Sequence, residues 1–322
     1  MDADLVGDVS EGELLRRVFA VLKGSSRALI GPGDDAAVLA TPGGRVVATT
    51  DTLVHGPDFR LAWSSGYDLG YKAAAVNLSD VAAMGATPTA LLVALAIPDD
   101  IPVPFVEELA RGFRAGCDEL APGCAVEGGD LTVSRTLTVA VTALGVLEGD
   151  PVTRAGARAG DEVAVAGELG RAGRGLALLF ERFRSPDGEP IPVDAASLSP
   201  EERLDLAAQL RPTPPVALGP VAARAGATAM MDVSDGLLLD AARLADASGV
   251  TLDLTADLSD LALTGGEDHA LLATFGAGRV PEGFRVIGDA VERTAHPVTL
   301  RGAAPDRLGG WDPYRDWDAG TG

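Results

Sequence analysis

The chain has 322 residues, 47% hydrophobic and 23% charged, with a formal charge of −21; this length allows two packed units of about 150 residues each. So acidic a balance excludes a protein that reads nucleic acid through its phosphates, because counterion release needs a basic surface. The acidic start "MDADLVGDVSEGELL" has no apolar signal core, and no run reaches the roughly 18 to 20 apolar residues of a membrane helix, so a cytoplasmic protein without a membrane part is expected.

In chain order, "EGELLRRVFAVLKG" carries apolar residues at helical spacing, and "RVVATTD" reads as a strand. Ser65–Gly85 reads as a long, buried helix that carries Asn77, Ser79 and Asp80 among alanines. "TALLVALAIP" is a continuous apolar strand, followed by a helix over "PFVEELARGFRAGCDELA", which starts near Pro104. Strands in "CAVEGGD" and "TLTVAVTALGVLE" close the first half. Turn residues at Gly149, Asp150 and Pro151 place a boundary there, giving units 1–148 and 149–322.

The second half alternates strand and helix. Strand "DEVAVAG" leads through a glycine-rich turn, "GRAGRG", to helix "LALLFERF" and a long, mobile loop, "SPDGEPIPVDAASLSP". Helix "EERLDLAAQLR", strand "ATAMMDV", helix "GLLLDAARLADASG" and strand "VTLDLT" follow, then the segment "TGGEDHALLATF". The expected class is α/β (α+β) in two domains, an N-terminal mixed sheet with helices and a C-terminal α/β unit. Cys117 and Cys124 are the only cysteines and read as small apolar residues, too few for a zinc site or a disulfide framework. Lys23 and Lys72 are the only lysines, so any phosphate grip falls on arginine or metal unless the arginine excess is a compositional bias.

Six apolar runs end in small residues and a carboxylate: "IGPGDDAAVL", "VVATTDTLV", "VNLSDVAAMG", "VEGGDLTV", "MMDVSDGLLL" and "TGGEDHALL". Strand ends and helix starts are where α/β proteins collect ligands, although Asp235 alone reads equally as a helix cap and Asp35 as a turn residue. If Asp35, Asp51, Asp80, Asp130 and Asp232 converge, repulsion at about 4 Å amounts to about 4 kcal/mol per pair at an effective dielectric of about 20. Such a cluster requires cations, and oxygen ligands select Mg2+ over zinc. Magnesium shares its ligands with phosphates, so a phosphorylated nucleotide is the expected substrate. There is no Gly-x4-Gly-Lys-[Ser/Thr] loop, and Lys72 lacks the context of a protein-kinase lysine. The candidate phosphate binders are "GGD" at 128–130, Ser234, the helix start after Asp235, and Arg154.

"GDDAAVL", "TTDTLV", "GYKAAAVNLSDVAAMGA", "EGGD", "VTRAGARAGD", "DVSDGLLLD" and "GGEDHALL", in that order, resemble the thiamine-monophosphate kinases, in the superfamily of aminoimidazole ribonucleotide synthetase and selenophosphate synthetase. The resemblance runs from about residue 11 to the C-terminus. It implies an aminoimidazole-ribonucleotide-synthetase-like fold and transfer of the ATP γ-phosphoryl group to thiamine monophosphate with several Mg2+ ions. Carried over by position, the metal ligands would be Asp35, Thr49, Thr50, Asp51, Asp80, Asp130, Asp232 and Asp235, and ATP would meet Gly129, Asp130, Arg154 and Ser234. Glu267 and Trp311 would face the cationic thiazolium; the alternatives are a cap for Glu267 and a packed surface ring for Trp311. The resemblance also implies a homodimer through the N-terminal sheets.

Three positions depart from the family pattern. Asp58 stands in "GPDF" where a histidine is usual, with His55 three residues earlier, so the substrate contact there is altered. Ala110 replaces a tyrosine, so an adenine contact is lost. The segment between "VTLDLT" and "TGGED" is short, so a missing helix leaves the substrate end open. A selenophosphate synthetase would need a reactive cysteine in an N-terminal glycine-rich loop, and both cysteines lie past residue 116. Another ATP-dependent enzyme of the superfamily, or a non-catalytic protein that binds nucleotide and metal, is the alternative.

Overall fold

The computed structural model describes residues 29–30, 37–41 and 44–311. The helix expected over 11–24 and Asp35 lie outside the described residues. Two sheets organise the rest. The first is built from strands Ala37–Thr41 (β1), Gly44–Val54 (β2), Thr87–Ile97 (β3), Ala125–Val133 (β4) and Thr138–Val146 (β5), in the order β1-β2-β5-β3-β4. All neighbours are antiparallel except β3 and β4, which are joined by a crossover helix as a parallel pair requires. Helices α1 (Gly66–Ala83) and α2 (Val103–Leu120) cover one face, and their Leu69, Leu78, Leu109 and Phe113 share a core with Leu91, Val139 and Val141 of the strands.

The second sheet has the order β11-β8-β10-β6-β9-β7. Its strands are Asp161–Ala166 (β6), Ala227–Val233 (β7), Val250–Leu254 (β8), Ala270–Gly276 (β9), Arg285–Glu292 (β10) and Val298–Leu300 (β11). Helix α6 (Leu237–Ser248) packs on one face through Leu237, Leu238 and Leu244. The other face buries Met230, Leu271 and Phe275 against Ala222 of α5 (Leu218–Ala225) and Ala83 of α1. Helices α3 (Arg171–Arg182) and α4 (Pro200–Leu210) form a further layer, in which Leu179, Phe183 and Leu206 pack with Trp63.

Helix α1 lies between the sheets, and this explains its composition. Fifteen of its eighteen residues are buried, so it lacks the polar stripe of a surface helix. Ser65 caps it: its Oγ accepts from Asp68 N–H (3.2 Å), and Asp68 Oδ2 accepts from Ser65 N–H (3.1 Å), the reciprocal box that satisfies two free donors.

Helix α3 begins at Arg171, inside the segment expected as a turn. The first N–H groups there are satisfied by a distant carboxylate: Asp268 accepts from Gly170 N–H (2.6 Å) and Ala172 N–H (2.8 Å). Sequence periodicity carries no sign of such a partner. The loop after α3 is not featureless either, since it holds a bridge between Arg184 and Pro190 and a 3-10 turn, Ala195–Ser197, capped by Asp194. The segment expected to lack a helix contains a short one, α7 (Asp260–Thr264), capped by Ser259.

Candidate active site

Helix α1 ties the two sheets together through the polar residues buried in it. Asn77 Oδ1 accepts from Asp51 N–H on β2 (3.1 Å), and its amide donates to Ala73 C=O (2.9 Å). Thr49 Oγ1 donates to Asp80 Oδ2 (2.8 Å). On the other side of the helix, Ser79 Oγ donates to Asp232 Oδ2 of β7 (3.3 Å). A single helix thus brings Asp51 and Asp80 on one side to Asp232 on the other.

Asp232 also meets His269 Nδ1 at 3.0 Å. Burial pushes the His269 ring down, but its bond to Asp232 together with the negative charges of Asp232 and Glu267 raises it. Lys72 pairs with Glu267, while Asp235 pairs with Arg243, which also reaches Asp240 (2.8 Å). Asp51 is exposed to solvent at the cleft surface, although protein crowds round its carboxyl. That desolvation, with the charges of Asp232, Glu267 and Asp235 adding to it and His269 opposing, lifts its carboxyl to about 6. Asp235 is raised by burial too, against the pull of Arg243. These carboxylates repel one another, and Lys72, Arg243 and His269 offset only part of it. Among the described residues no three His, Cys, Asp or Glu side chains are arranged to hold a metal by themselves, so a cation here must draw further oxygens from main chain, water or ligand.

Strand alternation sorts the other expected ligands. Asp51 is in register with Val141, Val93 and Gly129, on the face covered by α1. Thr50 faces the other way, where its Oγ1 donates to Val141 C=O (2.8 Å), so only its main chain is on the Asp51 side. Asp130 is in register with Ala94, Ala140 and Thr52, on the uncovered face and three strands from β2. Arg154 lies in the link between the sheets: its C=O accepts from Ser248 Oγ (2.7 Å), and the adjacent Thr153 C=O accepts from Met230 N–H beside Asp232 (3.1 Å).

Next to the carboxylates is a cavity of about 490 Å3, whose walls include Asp58, Lys72, Ser234, Glu267 and Trp311. Segment 264–267 lies close to 234–236, with Glu267 N–H donating to Ser234 C=O (2.8 Å). Gly266 allows this approach, since a Cβ there would overlap the Ser234 carbonyl. Glu267 and His269 adopt φ of +73° and +52°, a conformation that side chains disfavour. Asp268 between them is anchored on α3, and His269 N–H donates to Val233 C=O (3.1 Å). Asp58 faces the cavity and accepts from Val54 N–H (2.7 Å), while the His55 ring packs on Phe59. Ala110 is exposed on α2.

Sequence reasoning did not find His269, Arg243 or the role of Lys72. His269 follows "GGED" directly, and Lys72 is the lone lysine of the buried helix, so both carried a signal; Arg243 lies one helical turn past Asp240 and carried none.

Residues 33–147 match the family model of the AIR synthase related protein, N-terminal domain. The thiamine-monophosphate kinase of Mycobacterium tuberculosis is 39% identical over 310 residues, covering 90% of this chain and 87% of that protein. The thiamine-monophosphate kinase of Corynebacterium glutamicum is 40% identical over 337 residues, covering 97% and 96%. A solved structure of AaThiL complexed with AMPPCP and TMP superposes with a TM-score of 0.84 at 30% identity, covering 97% of this chain and 99% of that one. Similarity of this extent, over a fold that brings Asp51, Asp80, Asp232 and Glu267 to one helix, shows that the chain belongs to the thiamine-monophosphate kinase family.

Proposed function

We propose that this protein transfers the γ-phosphoryl group of ATP to thiamine monophosphate, giving thiamine diphosphate and ADP. The observation that carries the reading is the junction of the carboxylate group with the cavity: Glu267 borders both, beside Asp51, Asp232 and Asp235 on one side and facing Asp58 and Trp311 on the other. A thiazolium cation suits the carboxylates and indole of that wall. The attacking group is already a phosphate anion, so no general base is needed, and the work of the protein is alignment and charge compensation. AaThiL, solved with AMPPCP and TMP, supports the same pair of substrates.

Oxygen donors in an acidic cleft fit Mg2+, which supplies neutralisation of the developing phosphate charge when bound. Asp51, Asp232 and Asp235 would hold it, with Asp80 and Thr49 behind Asp51, Thr50 through its carbonyl, and Asp35 completing the set; Asp130, on the opposite face of the sheet, does not join them within this chain. Gly129, Arg154 and Ser234 would meet ATP, with Asp130 contributing at most its main chain. In this reading residues 1–148 form the metal and dimerisation unit and 149–322 the unit that completes the nucleotide and acceptor sites. The homodimer would form on the uncovered face of the first sheet, where Thr50, Thr52, Leu92, Ala94 and Asp130 are exposed, a broad face suited to sheet stacking. Its substrates are charged metabolites, and we place the enzyme in the cytoplasm; no helix of the described residues is long and apolar enough to cross a membrane.

The test is an acceptor screen of the purified protein with ATP and Mg2+. Thiamine diphosphate and ADP should form together from thiamine monophosphate. Phosphorylation of free thiamine or an aminoimidazole ribonucleotide precursor, with none of the monophosphate, would overturn the reading.

A further inference from the structure

Arg60 and Gln209 have no part in the acidic cleft, and both are buried in the cavity wall. They are 8% and 6% exposed. Arg60 Nη2 and Gln209 Oε1 have no hydrogen-bond partner, which for a buried group costs about 1–3 kcal/mol. The Arg60 guanidinium lies 4.7 Å from the Trp63 ring centroid and 5.0 Å from that of Phe180. Two aromatic rings, an unused donor and an unused acceptor thus share one wall. Its occupant is flat, offers an acceptor to Arg60 and a donor to Gln209, and carries no positive charge at that end, because Arg60 repels cations.

The acceptor of the proposed reaction has two rings. Its thiazolium is cationic and belongs by charge beside Glu267 and Asp58. Its aminopyrimidine is neutral and presents a ring nitrogen next to an exocyclic amine, an acceptor adjoining a donor. We propose that Arg60 and Gln209 are specificity-determining residues that read this edge, Arg60 donating to the ring nitrogen and Gln209 accepting from the amine, with the ring lying against the aromatic wall. The assignment rests on the reading of the site as a thiamine monophosphate kinase.

The experiment uses the full chain and two variants, Gln209→Leu, close in volume, and Arg60→Lys, which keeps the charge but loses the planar fork. Each is assayed with thiamine monophosphate and with the analogue in which an oxo group replaces the exocyclic amine, and binding of free thiamine is measured by calorimetry. Wild type should prefer the amino compound by up to about a hundredfold, because the oxo analogue leaves the buried Gln209 carbonyl without a partner at a cost of about 1–3 kcal/mol. Gln209→Leu should raise KM for thiamine monophosphate about tenfold, leave KM for ATP unchanged and shrink that preference by a similar factor. Arg60→Lys should weaken thiamine and thiamine monophosphate binding equally. Weakening of the phosphorylated ligand alone would make Arg60 a phosphate grip and overturn the proposal, as would an unchanged preference in Gln209→Leu. If Arg60→Lys does not fold by circular dichroism, Gln209→Leu decides alone. A wild type that phosphorylates no thiamine compound, although folded, refutes the parent reading instead.

Discussion

The two ends of the cleft are built on opposite terms. At the acidic end Asp51, Asp232, Asp235 and Glu267 influence one another, and the protein supplies fewer cations than the carboxylates require. At the aromatic end Arg60 is a cation packed on rings, with one donor left without a partner. One end holds negative charge in excess and the other holds unsatisfied hydrogen bonds. Both are costly without ligands, and the two proposals assign each end the chemistry that would complete it: cations and phosphates at the first, a neutral heteroaromatic edge at the second.

The comparison is broken most directly at the acidic end. Asp51→Asn should lower turnover about a hundredfold or more, the scale of losing one charge-stabilising group. Its melting temperature without Mg2+ should stay level or rise, because a repulsive charge is gone. Addition of Mg2+ should raise the melting temperature of wild type and that of the variant by less. Full activity of Asp51→Asn at limiting Mg2+ would remove this residue from the metal site.

Lys72 joins the two ends, being buried and paired with Glu267. Lys72→Met should cost about 2 kcal/mol in urea unfolding, less than a fully buried pair because Glu267 keeps contact with solvent. Adding Glu267→Gln should recover part of that loss, and a double mutant no more stable than Lys72→Met would show that the pair is not coupled.

A smaller effect is expected at Arg154, in the link beside β7. Arg154→Lys should raise KM for ATP several-fold and that for thiamine monophosphate less, because lysine cannot hold two phosphate oxygens with one planar group. Steady-state kinetics with each substrate varied separately measures the split; unchanged ATP parameters would leave Arg154 a structural residue of the link. Smallest of all, Ser65→Ala should cost about 1 kcal/mol in unfolding free energy with kcat nearly unchanged, since α1 is fixed by packing from both sheets. A large loss of kcat there would mean that the cap positions the carboxylates proposed as metal ligands.

Much of the acidic end was legible in the sequence. Strands and helices announce themselves by period, so β7 over Ala227–Val233 and the long helix from Ser65 were readable, as were carboxylates set where apolar runs end. Alternation along β2 could have separated Thr49 from Thr50, because neighbouring strand residues face opposite sides. The partners of Asp232 and Asp268 were not readable. They depend on which elements become neighbours, and His269 and Gly170 are 37 and 98 residues away from them.

By itself, the sequence determined the acidic class of the protein, the order and type of most elements, and the motifs that resemble one kinase family, because composition and periodicity are local properties of the chain. The tertiary structure alone decided that α1 lies between two sheets, that Asp51, Asp232 and Glu267 share one cleft, and that Arg60 and Gln209, 149 positions apart in sequence, line one cavity. Those are distances between segments remote in the chain, and they are set by the packing of apolar faces, to which the residues of the site contribute little.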